Sequence, residues 1–201
     1  MNAPAELVLV RHAAAEPRTA EAPDEGRALT ARGRRDAAAL VGPLRALRPA
    51  AIWSSPYRRA VETLEPTAAA LGLEVQTGWE LREWDDGLPF TDDWAPHYER
   101  SWVDPSFARE RGESLEELTR RAVAALRALA HQHPAERVLV GSHGTFVARA
   151  LCGFGVPVRW PFPQTMLTPA IYHLRFRDPR GQPVITGPGI SQSRSRPGIN
   201  R

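Results

Sequence analysis

Two histidines, each preceded by an apolar run, carry the most informative chemistry of the chain. His12 follows residues 7–10 and stands next to Arg11, and His143 follows residues 138–140. Runs of Val and Leu of this length are typical of buried parallel strands, whose carboxyl ends form the ligand-binding edge of an open α/β sheet. An imidazole can attack phosphorus, and a guanidinium matches phosphate oxygens with two parallel hydrogen bonds. The two segments therefore predict phosphoryl chemistry at one edge of a sheet.

A third segment, residues 54–63, adds basic side chains near the start of a predicted helix. Arg58 and Arg59 lie in its first turns, and Arg59 shares a helix face with Thr63, four residues later. A guanidinium group from this helix can reach the same sheet edge. The ordinary alternative is a pair of solvated helix charges.

Candidate proton donors occur at residues 83–86, where the regular pattern of the chain ends. Glu83 stands beside Trp84, and partial desolvation there would raise the pKa of its carboxyl group. A carboxyl group of this kind can protonate a leaving oxygen. Asp85 and Asp86 compete for the same role, and the ordinary alternative is that Glu83 is a surface glutamate.

Two other sets of potential ligands have simpler structural explanations. His131 and His133 lack the rest of a zinc ligand set, and their position at the end of a predicted helix favours polar capping. Cys152 is the only cysteine, which excludes an internal disulfide and is typical of a reducing compartment. Neither set predicts a metal site.

The alternation of strand and helix patterns predicts a three-layer α/β/α sandwich with a mostly parallel central sheet. Pro66 lies inside the second predicted helix, so a kink or break is expected there. The predicted strands cover residues 7–10, 51–55, 73–77, 138–141 and an edge strand at 170–176, and the predicted helices begin at Thr30, after Pro56, at Ser114 and near His143.

One domain is expected over residues 1–186, followed by a disordered basic tail at 187–201. Residues 84–112 contain acids, aromatics and prolines without a sustained period. We expect this segment to be an inserted lid over the carboxyl edge of the sheet.

Charge and hydropathy argue against nucleic-acid and membrane partners. Three arginines in the tail, Arg194, Arg196 and Arg201, account for the formal net charge of +3, so the rest of the chain is neutral. A nucleic-acid binder clusters its cations on one face, and no basic run occurs in the body. No apolar stretch reaches the length of a membrane span, and the N-terminus is not of the secretory type. We therefore expect a soluble cytoplasmic protein.

Five short motifs in order resemble the histidine phosphatase superfamily, also called the phosphoglycerate-mutase-like family. The resemblance covers most of residues 6–176. It rests on Arg11-His12-Ala13, on Ser54–Thr63 (Ser-Ser-Pro-x-x-Arg-Ala-x-x-Thr), on Leu81–Glu83 (Leu-x-Glu), on Gly112–Ser114 (Gly-Glu-Ser) and on Ser142–Gly144 (Ser-His-Gly).

The resemblance implies a role for each matching side chain. His12 would be the nucleophile that forms a phosphohistidine, while Arg11, Arg59 and His143 would bind the phosphoryl oxygens, His143 also taking part in catalysis. Glu83 would protonate the departing alkoxide and then act as the base toward water. No metal or other cofactor is implied, because the cationic side chains occupy the place of a magnesium ion. An uncharged ring nitrogen on His12 requires a fixed tautomer, for which a backbone carbonyl is the expected acceptor.

The sequence departs from the family pattern after the first motif. Ala13 replaces a glycine, and residues 14–18 lack the asparagine that contacts phosphate in many members. Arg18 or Thr19 are the candidates to replace it.

The acid segment and the chain length favour a phosphatase over a mutase. Cofactor-dependent phosphoglycerate mutases are longer and have a different acid segment. We therefore expect a histidine acid-type phosphatase that hydrolyses a small phosphorylated substrate. The alternatives are a phosphoglycerate-mutase-type phosphotransferase, a protein phosphohistidine or phosphotyrosine phosphatase, and a phosphate-binding relative without turnover. A homodimer is compatible with the sequence, which does not decide the oligomeric state.

The predicted lid contains nine acids and six aromatic residues between residues 83 and 113. If it lines the site, it would repel polyanionic substrates and favour an apolar or cationic leaving group. An alternative of equal weight is that the aromatic residues form a small core of the lid while its acids face water.

Overall fold

A computed structural model describes residues 4–190 and contains one six-stranded sheet in the order β3-β2-β4-β1-β5-β6. The strands are β1 (Ala5–Arg11), β2 (Ala51–Ser54), β3 (Val75–Thr77), β4 (Arg137–Ser142), β5 (Ala170–Phe176) and β6 (Val184–Thr186). β1 pairs in parallel with β4, and β2 pairs in parallel with both β4 and β3. β5 and β6 join antiparallel on the other side of β1. The mostly parallel sheet is confirmed.

Helices cover both faces of the sheet, so β1 is buried on both sides. Leu7 and Leu9 pack in a core cluster with residues of the helices at 115–132 and 144–153, whereas Val8 and Val10 pack with residues of the helices at 31–46 and 58–71. Both faces of this strand are therefore dry, which explains its continuous apolar run. The helices are α1 (Ala31–Ala46), α2 (Arg58–Leu71), α3 (Ala95–Val103), α4 (Leu115–Gln132), α5 (Gly144–Gly153) and the short α6 (Phe162–Thr165).

Two helices begin at caps that the sequence predicts. The side chain of Thr30 accepts a hydrogen bond from the backbone N–H of Gly33 at the start of α1. Ser114 and Glu117 form a reciprocal capping box at the start of α4. Each cap satisfies backbone donors that have no partner within the helix.

One expectation about the regular elements is wrong, and another is wrong in part. β5 is not an edge strand, because β6 pairs with it on the outer side. Of the kink or break expected at Pro66, the break is wrong, since α2 runs without interruption from Arg58 to Leu71. Leu64 and Ala68 on either side of the proline are buried in the core, and this tertiary packing outweighs the loss of one helical hydrogen bond.

The predicted lid contains a helix that the sequence interpretation missed. α3 covers Ala95–Val103, and its signal is Trp94, Tyr98 and Trp102, which recur every four residues. Acids and prolines around them obscured this period. Within residues 4–190, no helix combines the length and apolar character that a bilayer span requires.

The expectation of disorder from residue 187 is wrong for its first residues. Residues 187–190 are described, and Ile190 packs against the main core cluster. Residues 191–201, the remainder of the predicted basic tail, lie outside the described part of the chain.

Candidate active site

His12 lies just beyond the carboxyl end of β1, and its ring is held by hydrogen bonds at both nitrogens. The Nδ1 atom donates to the backbone carbonyl of Ala13 at 2.7 Å, and a backbone carbonyl was the expected type of acceptor. The Nε of Arg59 donates to the Nε2 atom of His12 at 3.2 Å. A carbonyl can only accept and a guanidinium can only donate, so both contacts require a proton on Nδ1 and a lone pair on Nε2. The structure therefore supports the tautomer in which Nε2 is unprotonated and carries the lone pair needed for attack.

The pKa of His12 is strongly lowered from 6.5 to about 3, chiefly because burial penalises the charged imidazolium. The nearby guanidinium groups of Arg59, Arg11 and Arg27 add to this effect. The imidazole is consequently neutral across the physiological pH range, which is the state a nucleophile needs.

Arg59 is almost completely buried, with 1% of its surface exposed, and its guanidinium is fixed on every side. Besides the bond to His12, it donates to the backbone carbonyl of Asp24 at 2.7 Å and to the Oδ2 atom of Asp24 at 2.9 Å. Arg27 donates to the other carboxylate oxygen of Asp24 at 2.7 Å. Asp24 thus compensates two cations beside His12. Burial would raise the pKa of its carboxyl group, but the guanidinium groups of Arg59 and Arg27 hold that pKa below the ordinary value.

Arg11 lies at the end of β1, where backbone carbonyls fix its guanidinium. One terminal nitrogen donates to the carbonyls of Pro163 and Met166, at 3.2 and 2.6 Å. A Cβ atom on Gly144 would lie 3.3 Å from several atoms of this guanidinium. The glycine of the Ser-His-Gly motif therefore leaves room for Arg11 over the start of α5.

His143 caps the start of α5 and places its ring beside that of His12, with the ring centroids 5.2 Å apart. Its Nε2 atom shares a hydrogen bond of 2.7 Å with the Oγ atom of Ser55, and its Nδ1 atom has no partner among the described residues. The side chain is fully buried, and desolvation lowers its pKa well below the ordinary value. A neutral ring with one unused nitrogen is suited to binding a phosphoryl oxygen.

Glu83 projects onto the amino terminus of α5, opposite the arginines. Its Oε1 atom accepts from the backbone N–H groups of Trp84 at 2.9 Å and Phe146 at 3.1 Å, while Oε2 accepts only from Thr145 at 3.3 Å. Desolvation raises the pKa of this carboxyl group, and the three backbone donors oppose the shift. The weakly bonded Oε2 atom is therefore the natural place for a transferable proton.

The competing acids have structural contacts of their own. The side chain of Asp86 accepts from the backbone N–H of Leu88 at 2.7 Å and hydrogen-bonds Tyr98. The side chain of Asp85 accepts from the backbone N–H of Gly87. Both carboxylates shape the chain after the acid segment, which leaves Glu83 as the acid beside the histidines.

The candidate basic residues also divide into those at the cleft and those outside it. Arg58 is exposed and pairs with Glu62 on the surface of α2, so it is the solvated helix charge that the alternative interpretation expected. Arg18 lines the cleft and donates to the backbone carbonyl of Leu88, whereas Thr19 is not among the cleft-lining residues. Of the two candidates to replace the family asparagine, only Arg18 is therefore at the cleft.

Thr63 connects the nucleophile loop to α2 through two buried hydrogen bonds. Its Oγ1 atom accepts from the backbone N–H of Ala13 at 2.9 Å and donates to the backbone carbonyl of Arg59 at 2.7 Å. We expect Thr63→Val to lower the free energy of unfolding by about 1–3 kcal/mol, because the N–H of Ala13 loses its acceptor. Urea denaturation measures this change.

Thr67, one turn later on the same helix, supplies the matched control. It is also fully buried, but its hydroxyl oxygen has no hydrogen-bond partner among the described residues. Thr67→Val should therefore leave stability unchanged or raise it. If the two variants lost the same free energy of unfolding, the hydrogen bonds of the Thr63 hydroxyl would make no contribution to stability.

Arg11, His12, Arg59 and Glu83 line one cleft of about 1080 Å³, whereas the fully buried His143 is not among its lining residues. Its inner end contains Arg11, His12 and Arg59, and its outer walls include residues from the predicted lid. The structure supports the hypothesis in which the lid lines the site. Four of its aromatic residues line the cleft (Trp84, Phe90, Trp94 and Tyr98), whereas Trp102 and Phe107 lie outside its lining.

The sequence profile of the histidine phosphatase superfamily (branch 1) matches residues 7–185. The chain belongs to this superfamily. No curated protein is similar enough in sequence to count as a match.

Solved structures of histidine phosphatases share the fold over nearly the whole chain. Bacillus stearothermophilus YhfR is 25% identical, with a TM-score of 0.76 over 93% of this chain and 98% of its own. A mycobacterial glucosyl-3-phosphoglycerate phosphatase is 23% identical, with a TM-score of 0.72 over 91% and 97%. A phosphoserine phosphatase from Entamoeba histolytica is 20% identical, with a TM-score of 0.73 over 94% and 98%. The last two are below 25% identity and bear on the fold alone.

Sequence reasoning missed several side chains of this histidine phosphatase site. Asp24 and Arg27 lie in the irregular segment between β1 and α1, where no period or motif marks them. The available signal was indirect, since a buried arginine such as Arg59 needs a carboxylate partner. Ser55 and Tyr57, which contact His143, were within the matched segment but were not assigned a role.

Proposed function

We propose that the chain is a phosphomonoesterase that works without a metal through a phosphohistidine on His12. The observation that carries the proposal is the fixed tautomer of His12, whose Nε2 lone pair faces the guanidinium group of Arg59 in a cleft that Arg11 and Glu83 also line. Nucleophile, anion-binding groups and proton donor are thereby present at one end of a cleft. Membership of the histidine phosphatase superfamily supports the same reaction class.

In the first half-reaction, the Nε2 lone pair of His12 attacks phosphorus. The new P–N bond forms as the bond from phosphorus to the leaving oxygen breaks, and Oε2 of Glu83 gives its proton to that oxygen. Arg11 and Arg59 stabilise the charge on the phosphoryl oxygens. With the hydroxyl of Ser55 donating to its Nε2 atom, His143 carries its proton on Nδ1 and can donate it to the same oxygens.

In the second half-reaction, water attacks the phosphohistidine. The carboxylate of Glu83 accepts the proton of the water, the P–N bond breaks, and its electron pair returns to Nε2 of His12. Inorganic phosphate then leaves, and the enzyme is restored with Glu83 protonated. Atoms and charges balance without a further reactant.

We favour a small phosphomonoester as the substrate and water as the acceptor of the phosphoryl group. The cleft has a volume near the upper end of the range for small-molecule sites, and the lid residues wall its outer part. A protein phosphohistidine or phosphotyrosine phosphatase would need a more open approach to His12.

The chelator assay tests the proposed function directly. Hydrolysis of p-nitrophenyl phosphate should proceed unchanged in excess EDTA, with one inorganic phosphate released for each nitrophenol. Activity that disappears with EDTA and returns with magnesium would overturn the metal-free mechanism. Transfer of the phosphoryl group to an added alcohol, with little free phosphate, would favour the phosphotransferase.

Arg59→Lys should lower kcat/KM on the order of 10²-fold while retaining the charge. A lysine cannot reproduce the fixed guanidinium that meets His12 and Asp24, and loss of one well-placed donor to a developing charge typically has this effect. The neighbouring exposed Arg58 provides the control, since Arg58→Lys should leave kcat/KM unchanged. Equal activity of both variants would exclude Arg59 from the site. Circular dichroism of each variant separates loss of activity from loss of folding.

A further inference from the structure

In-line attack places the leaving group opposite His12 across the phosphorus, next to the acid that protonates it, and the residue after Glu83 belongs to a cluster of aromatic rings. Trp84 directly follows the acid, and its ring packs against Tyr98 with centroids 5.0 Å apart. Tyr98 also contacts Trp94 at 5.1 Å and Trp160 at 6.2 Å. All four residues line the cleft, and we call them the aromatic wall.

Part of this surface is open to the cleft although it is apolar. Trp94 is 39% exposed, and the neighbouring lining residue Phe90 is 42% exposed, while Trp84 beneath them is buried. Exposed aromatic area beside a catalytic acid is typical of a surface that a ligand covers. The occupant of this region is therefore a group that gains by contact with aromatic faces.

The charged lid residues in the described lining of the cleft are three carboxylates. The lining cations outside the inner end of the cleft are Arg18, which donates to the backbone carbonyl of Leu88, and Arg82, whose guanidinium lies over the ring of Trp79. Arg109, which lies later in the same lid segment, donates to the backbone carbonyls of Asp86 and His97. The lining carboxylates are Asp85, Asp86 and Asp92.

We propose that the leaving group is an alcohol that carries a positively charged ammonium group, an inference that rests on the proposed phosphatase function. A cation is attracted both by the aromatic faces and by the carboxylates. A neutral aromatic alcohol would use only the rings, and an anionic one such as a glycerate would be repelled. The cleft therefore separates its charges, with guanidinium groups for the phosphate and rings with carboxylates for the ammonium group.

A pair of substrates with the same shape tests this charge preference. Phosphocholine and 3,3-dimethylbutyl phosphate differ only in that a neutral carbon replaces the quaternary nitrogen. We expect kcat/KM to be about tenfold higher for phosphocholine, the effect of a partly desolvated cation–π contact. Equal values, or a preference for the neutral ester, would overturn the proposal. A preference for 3-phosphoglycerate over both would overturn it more strongly.

Two variants locate the preference in the aromatic wall. Trp94→Leu should reduce the ratio of kcat/KM values for the two esters at least about threefold, since one ring face is lost. Phe107→Leu is the control within the same segment, because Phe107 lies outside the cleft between the guanidinium groups of Arg100 and Arg109. An unchanged ratio in Trp94→Leu would contradict the assignment.

Hydrolysis of p-nitrophenyl phosphate distinguishes failure of this inference from failure of the function. If the aryl ester is hydrolysed and phosphocholine is not preferred, the phosphatase stands and the cationic leaving group is wrong. If no phosphomonoester is hydrolysed, both the function and the inference are wrong.

Discussion

His12→Ala is expected to lose turnover of every phosphomonoester, with kcat reduced on the order of 10⁴-fold or more. Removal of the imidazole removes the atom that forms the covalent intermediate, and no described neighbour can replace it, since His143 is buried with one nitrogen bound to Ser55. Phosphate release from p-nitrophenyl phosphate, measured to the limit of a protein-free control, gives the value.

His131→Ala provides the matched control for this experiment. His131 is exposed near the end of α4, before β4 begins, whereas His143 follows the opposite end of that strand, so removal of His131 should leave kcat unchanged. Binding of inorganic phosphate to His12→Ala, followed by calorimetry, shows whether the arginine site persists without the nucleophile. Activity within tenfold of the parent chain in His12→Ala would assign the chemistry to another group.

Glu83→Gln should reduce kcat for alkyl phosphates about 10²- to 10⁴-fold, the usual contribution of a general acid. An alkoxide leaves poorly without a proton, whereas a nitrophenolate leaves readily. The same variant should therefore lose much less of its phosphorylation rate with p-nitrophenyl phosphate. Single-turnover rates with the two esters measure the difference. Equal losses with both esters would contradict the role of Glu83 as proton donor.

The pH dependence of the alkyl reaction follows from the same carboxyl group. Burial raises the pKa of Glu83, so the protonated donor persists to higher pH than for an exposed glutamate. The phosphorylation rate should be highest below this pKa and should fall as the pH rises through it. Because the pKa of His12 is about 3, the nucleophile contributes no acid limb in the neutral range. The rate with Glu83→Gln should lack the fall at high pH.

The inner site was predictable because strand ends determine where its side chains meet. β1 and β4 are adjacent and parallel, so Arg11, His12 and His143 follow strands that end at the same sheet edge. The local sequence around each strand was enough to place them there. A backbone carbonyl was also the expected acceptor for the ring of His12, because a neutral nucleophile needs a fixed tautomer, and the structure identifies it as that of Ala13.

The second layer of the site was not predictable, because it comes from irregular chain. Asp24 reaches Arg59 across 35 positions of sequence, and no periodic pattern connects them. The edge position of β5 was mispredicted for a related reason, since β6 has only three residues and its pairing depends on tertiary contact. Short or irregular segments have too few residues in a periodic pattern to predict their structure, which tertiary packing determines instead.

The lid shows the limit of reasoning from composition. Its acids and aromatic residues predicted two incompatible arrangements, and composition could not choose between them. The turn of α3 places Tyr98 in the lining of the cleft and Trp102 outside that lining. That helix was the element that the sequence pattern did not reveal.

Trapping of the covalent intermediate tests the central claim most directly. The enzyme is mixed with p-nitrophenyl phosphate, quenched within milliseconds in alkali, where phosphohistidine survives, and digested for mass spectrometry. We predict one phosphoryl group on the peptide that contains His12, labile to acid and absent from His12→Ala. A phosphoryl group on another residue, or burst-free turnover with no labelled peptide, would contradict the phosphohistidine mechanism.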